Sequence, residues 1–235
     1  MNLKKGQIPL FTSAVLALIV ILLLWIVELL EWGLIVDLSF LGVRPRSWEG
    51  LIGIITGPFV HGDLFHLLSN SFSLFVLLTG FIFLYPYFPH KLIGIIYLLT
   101  NIFVWVGARD AYHIGASGII YGLLGVMLFS GIFRKDIRSL AIALAMLFLY
   151  GGMLQGIFPG DPHISWEAHA FGAFSGAVTA FAYRKHQLSP DDKSEITSDD
   201  EEADDPEEKT GTNSTHEGSE TFQYVFKPKD FNDDH

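Results

Sequence analysis

The sequence contains no cysteine in 235 residues. Disulfides, thiolate metal sites and a cysteine nucleophile are therefore excluded. Charge is also scarce. Asp, Glu, Lys and Arg make up 17% of the chain, against about 25% in ordinary soluble domains. What charge there is lies mostly at one end. Residues 188–235 hold 16 acidic and 4 basic residues, a net of −12, while the preceding 187 hold 9 acidic and 11 basic. The low isoelectric point of about 5.2 is thus a property of the tail. The body has no basic stripe to neutralise phosphates, so nucleic-acid binding is not expected.

In place of charge there are long apolar runs. Half of the residues are hydrophobic and the mean hydropathy is +0.39. A helix needs roughly 20 apolar residues to cross about 30 Å of hydrocarbon. Six stretches qualify: about Pro9–Leu30, from just after Asp63 to near Tyr85, Leu92–Gly107, Ser117–Phe133, Ile137–Leu154 and Ala168–Tyr183. The first follows Lys4 and Lys5, as a secretory leader would. Its run VLALIVILLLWIV is too long for a leader, and Glu31-Trp32-Gly33 follows instead of a cleavage pattern, so it reads as a retained helix. The expected fold is all-α: a polytopic membrane protein with a six-helix body over residues 1–187. The tail, 188–235, is expected to be disordered, since runs such as SDDEEADDPEE bury too little to offset their ordering entropy.

Lysine and arginine in short loops orient such a body. With the N-terminus in the cytoplasm, Lys4, Lys5, Lys91, Arg134, Lys135, Arg138, Arg184 and Lys185 lie inside; Arg44, Arg46 and Arg109 lie outside. The reading is a multi-pass cell-membrane protein, its N-terminus and acidic tail cytoplasmic. The connection Glu31–Val60 is too apolar for a simple aqueous loop and should lie partly in the interface, against protein.

Polar groups inside a bilayer are costly, so each is a candidate site. Three clusters stand out. HGDLFHLLSN opens the second segment; His66 and Asn70, four apart, share a helix face, with His61 nearer the water. Interhelical glue is the plain alternative. HIGASGIIYGLLG opens the fourth segment. Ser117 falls near a helix N-terminus, whose free N–H groups can stabilise negative charge, and Tyr121 is one turn further on. Gly115 and Gly118 allow a sharp turn and a close neighbour. A small-residue packing motif with a capping serine reads equally well here. EAHAFGAFSGA opens the sixth segment, where His169, Gly172 and Gly176 share one face; a lone satisfied histidine is the alternative. If the glycine face packs on the fourth segment, His169 reaches Ser117 at about 3 Å. In the derived orientation, all three clusters lie at a similar depth below the outer surface.

The ordered set HGDLFHLLSN, GASGIIYGLLG and AHAFGAFSGA resembles the motifs of the rhomboid intramembrane serine proteases, over about Pro9 to Tyr183. The resemblance implies a dyad of nucleophile Ser117 and general base His169, with no third carboxylate and no cofactor or metal. It makes His66 and Asn70, with the Ser117 backbone N–H, the oxyanion donors. Tyr121 becomes the ring stacked on the histidine, Gly115 and Gly118 the serine-motif glycines, and Gly172 and Gly176 the close-packing face. His61 becomes the outer histidine of the second-segment motif. The implied partners are the lipid bilayer and single-span membrane proteins, cut near their outer ends after a small residue. Glu167, two residues from His169, should point elsewhere, and Asp161 lies in the preceding loop. Many relatives carry a Trp-Arg pair in the first loop. Here Arg44, Arg46 and Trp48 occur without such a pair, so the resemblance does not say how the loop is anchored. A non-catalytic binder of client helices is the rival; such relatives usually lack the serine or the histidine. A solute transporter should show internal repeats, and none is evident.

Overall fold

The computed structural model describes residues 6–149, 152–160 and 164–188. The expected acidic tail therefore lies, apart from Leu188, outside the described residues. The helices are α1 (Leu10–Leu34), α2 (Gly53–Thr56), α3 (Leu64–Leu84), α4 (Pro89–Gly107), α5 (Ser117–Phe133), α6 (Ile137–Leu149), α7 (Gly152–Gln155) and α8 (Trp166–Ala182). Short 3-10 turns at Ser39–Leu41, Glu49–Leu51 and Gly57–Phe59 punctuate the loop between α1 and α3. Among the described residues the β-pairing consists of an isolated antiparallel bridge, Val43 to His113.

Local chemistry sets the helix ends. Asp63 caps α3, its Oδ1 accepting the His66 N–H at 2.8 Å. Pro89 opens α4, where its missing N–H costs nothing. Ser165 caps α8 by accepting the Ala168 N–H at 3.3 Å, so the helix begins two residues before the expected Ala168. Ile35, at φ 55°, closes α1 in a left-handed conformation and donates to Glu31 and Trp32 carbonyls.

The six expected segments hold α1, α3, α4, α5, α6 and α8. Among the described residues, three helices are long and apolar enough to cross a membrane by length and composition: α1, α3 and α4, of 25, 21 and 19 residues. The apolar helices α5 and α6 have 17 and 13 residues. At 1.5 Å per residue, α5 is only about 25 Å long. Within the fifth segment, expected to run to Leu154, the described residues form α6 (Ile137–Leu149) and α7 (Gly152–Gln155).

The core is built around α5, which packs on α3, α4, α6 and α8. Its residues Gly118 to Met127 are all buried, as befits a helix that is apolar on every side. Its closest partner is α8. By contrast, α1 rests against α3 and buries only Ser13, Ala17, Leu24 and Glu28. Leu16, Leu18, Ile19, Leu22 and Leu23 face outward. An apolar surface this continuous belongs against lipid, and the chain is a multi-pass membrane protein.

The α1–α3 loop is bound to protein rather than free. Val43 and His113 exchange both backbone hydrogen bonds at 2.9 Å, and Gly115 donates to the Gly57 carbonyl at 3.0 Å. The Arg46 guanidinium donates to the carbonyls of Val106 and Ala108, at 3.2 and 2.8 Å, satisfying the open end of α4. Trp105 Nε1 donates to the Ser47 carbonyl at 2.9 Å, and the Tyr97 hydroxyl to the Ile55 carbonyl. These contacts anchor the loop without a Trp-Arg pair.

Candidate active site

Ser117 is the first residue of α5. The chain reaches it through Gly115, which at φ 98° is in a region open mainly to glycine. Space gives a second reason for glycine. A Cβ on Gly115 would stand 2.5 Å from His66 Cε1 and 3.4 Å from Asn70 Nδ2. The imidazole and the amide, one turn apart on α3, therefore converge on the backbone just before Ser117. Asn70 is buried, and its Nδ2 has no hydrogen-bond partner. An unpaired buried donor costs about 1–3 kcal/mol, and in native structures such groups are few and call for an explanation.

His61 lies behind His66, edge-on at 5.0 Å between ring centroids. It is buried in the loop before α3, and burial pushes its pKa down to about 4.

His169 comes from the first turns of α8. Its Nε2 is 2.8 Å from Ser117 Oγ and its Nδ1 is 2.9 Å from the carbonyl oxygen of Gly156. The Tyr121 ring stacks on the imidazole, with centroids 4.2 Å apart and planes 12° from parallel. Missing side chains make this approach possible. A Cβ on Gly172 would stand 2.1 Å from the Gly118 carbonyl oxygen, and one on Gly176 2.3 Å from that of Gly122. The two backbones touch, as in small-residue helix pairs in membranes. Gly118 is itself tight, its Cβ position 3.0 Å from Thr100 and 3.2 Å from the Ala168 carbonyl.

Glu167 takes no part in the pair. Its carboxylate is buried and lies 3.5 Å from Arg109. Asp161 is outside the described residues. A cavity of about 10 Å³, room for one water, borders Gly115 and Gly118 and is also lined by Asn101 and His113.

Three contributors escaped the sequence reading. Gly156 acts through a backbone carbonyl, which leaves no side-chain signature. Arg46 stands out in the sequence for its charge and for the missing Trp-Arg pair, but not for its bonds to the end of α4. His113 links two elements: its Nδ1 is 2.6 Å from Ser165 Oγ at the start of α8, and its Nε2 is 3.0 Å from the Arg109 carbonyl. Its place in HIGASG was visible, but its partners are 4 and 52 residues away.

Fold and site together define a helical multi-pass membrane protein with a serine–histidine pair where two of its helices touch. The chain belongs to the rhomboid family: the family profile described as Rhomboid domain matches residues 48–186. A Mycobacterium tuberculosis protein described as uncharacterized is 34% identical over 172 residues, covering 68% of this chain and 70% of its own. YdcA of Bacillus subtilis, provisionally named a rhomboid protease, is 33% identical over 159 residues, 60% of this chain and 70% of its own. RHOMBOID-like protein 1 of Arabidopsis thaliana is 28% identical over 154 residues, 63% of this chain and 37% of its own.

Proposed function

We propose that this protein is an intramembrane serine endopeptidase that cleaves single-span membrane proteins near the outer ends of their helices. The observation that carries the reading is the 2.8 Å contact between Ser117 Oγ and His169 Nε2. In the proposed arrangement α1, α3, α4, α5, α6 and α8 are the six spans of a body covering residues 1–187. The N-terminus and the acidic tail are cytoplasmic, which leaves Lys91, Arg134, Lys135, Arg138, Arg184 and Lys185 on the inner side.

His169 Nε2 takes the hydroxyl proton as Ser117 Oγ attacks the scissile carbonyl. Negative charge develops on the former carbonyl oxygen. Asn70 Nδ2, His66 and the Ser117 backbone N–H are its donors, the last unpaired within α5 because the first N–H groups of a helix have no partner there. Collapse breaks the peptide C–N bond, and the leaving amine takes its proton from His169. Water, deprotonated by His169, then attacks the acyl-serine, releases the acid and restores the hydroxyl. The unpaired amide of Asn70 fits this role: its cost is borne in the resting protein and recovered when the oxyanion forms. Client helices enter from the lipid side and unwind locally to expose a carbonyl.

The test is reconstitution of the purified protein with a fluorogenic single-span substrate, alongside labelling by a fluorophosphonate. Wild type should cleave and label at Ser117. Ser117→Ala and His169→Ala should do neither. A folded wild-type protein that does neither would leave the non-catalytic binder as the reading.

A further inference from the structure

A serine–histidine dyad works only if the imidazole presents its lone pair, not its N–H, to the hydroxyl. Each neutral imidazole carries one proton, and the bond made by the far nitrogen decides which nitrogen holds it. In many serine enzymes a carboxylate settles this. Here the nearest carboxylate in sequence, Glu167, faces Arg109. The group at Nδ1 is instead the carbonyl oxygen of Gly156, at 2.9 Å.

A carbonyl oxygen can only accept. The nitrogen facing it must therefore carry the proton, which leaves Nε2 unprotonated toward Ser117 Oγ. From this we infer that the Gly156 carbonyl is the positioning group that fixes the tautomer of His169. Residues 152–160, which run from α7 toward α8, thereby act as an orienting strap for the base. The inference rests on the dyad proposed above and adds a backbone member to it.

The strap is built for this. Gly156 has no side chain to hold the carbonyl away from the ring. Ile157, the next residue, packs against the hydrophobic core, while Leu154 and Phe158 on either side are exposed. Phe158 N–H donates to the Gln155 carbonyl at 3.0 Å, folding the strap into a turn around Gly156. One inward side chain thus sets the position of one carbonyl. Tyr121 covers a face of the ring and resists rotation out of the plane, but a stacked ring does not choose between tautomers. The strap makes that choice.

The test uses the full-length protein in detergent or bilayers, with ¹⁵N-labelled histidine. Wild type should show His169 protonated at Nδ1 and unprotonated at Nε2. Replacing the Gly156–Ile157 amide by an ester, through an α-hydroxy acid at position 157, weakens the acceptor without altering any side chain. The ester should mix the two tautomers and lower kcat about fivefold, the effect of losing most of one hydrogen bond, with KM unchanged. Ile157→Ala, which loosens the strap, should act in the same direction. A wild-type spectrum with Nε2 protonated overturns the inference, as does an ester protein whose tautomer and kcat match wild type. The spectrum is readable in a protein that cleaves nothing, so failure here is distinct from failure of the protease reading.

Discussion

The carbonyl oxygen of Gly118 in α5 lies 2.1 Å from the point that a Cβ on Gly172 of α8 would occupy. Nothing flexible stands between them, so one of the two backbones must give way when that carbon is added. Gly172→Ala should destabilise the protein by about 1–3 kcal/mol, the usual cost of overpacking, and should lengthen the contact between Ser117 and His169. Activity should fall by more than the stability loss explains. Gly94 provides the contrast, because a Cβ there meets nothing within 4 Å. Gly94→Ala should be neutral or stabilise α4 by up to about 1 kcal/mol. Thermal unfolding in detergent, with cleavage rates beside it, checks both.

Asn70 is the residue at which the proposed catalysis can be told apart from folding. Its Nδ2 is buried and unpaired, so truncation removes a cost from the resting protein. Asn70→Ala should leave the melting temperature unchanged or slightly raised, yet lower kcat by about 10²–10³, the usual loss for one oxyanion donor. A variant that melts early and keeps its rate would make Asn70 a structural residue.

His61 sets an acid limit on stability. Its folded pKa is held near 4 by burial, with His66 opposing its charge and Asp63 favouring it, while an unfolded histidine titrates near 6.5. Between those values the unfolded chain takes up a proton that the folded chain refuses. Stability should therefore fall as pH drops from about 6.5 to about 4. His61→Phe should flatten that decline. Melting temperatures at pH 7, 6, 5 and 4 would show it; parallel curves for the two proteins would mean that another group governs.

Arg46 combines a strained backbone with a useful side chain. It sits at φ 55°, and its guanidinium binds the carbonyls that end α4. Arg46→Ala keeps the strain and loses the bonds. Arg46→Gly loses the bonds and relieves the strain. The alanine variant should be the less stable by about 1 kcal/mol, and both should free the loop to proteolysis faster than wild type.

Much of this fold can be read from one sequence, because the decisive signals are local. Asp63 before an apolar run announces a capped helix, and α5 occupies the expected Ser117–Phe133. The glycine spacing of the last helix shows that something comes close, and the side chains of His66, Asn70, Ser117 and His169 are conspicuous in apolar surroundings. Other features were illegible for equally physical reasons. The ends of helices depend on what packs beside them, so α8 starts at Trp166, two residues before the expected Ala168. Glu28 stands in the first apolar run with no motif around it, yet it is buried. Gly156 contributes an atom that every residue possesses, and only coordinates can say which of the chain's carbonyls meets a nitrogen.

The paired backbone bonds between Val43 and His113, with the bond from Gly115 to Gly57, have a mechanical consequence. The α1–α3 loop and the four residues leading to Ser117 are stitched into one stiff piece. A push on the loop's greasy outer edge, at the exposed Phe40 or Trp48, would travel along that seam to Ser117.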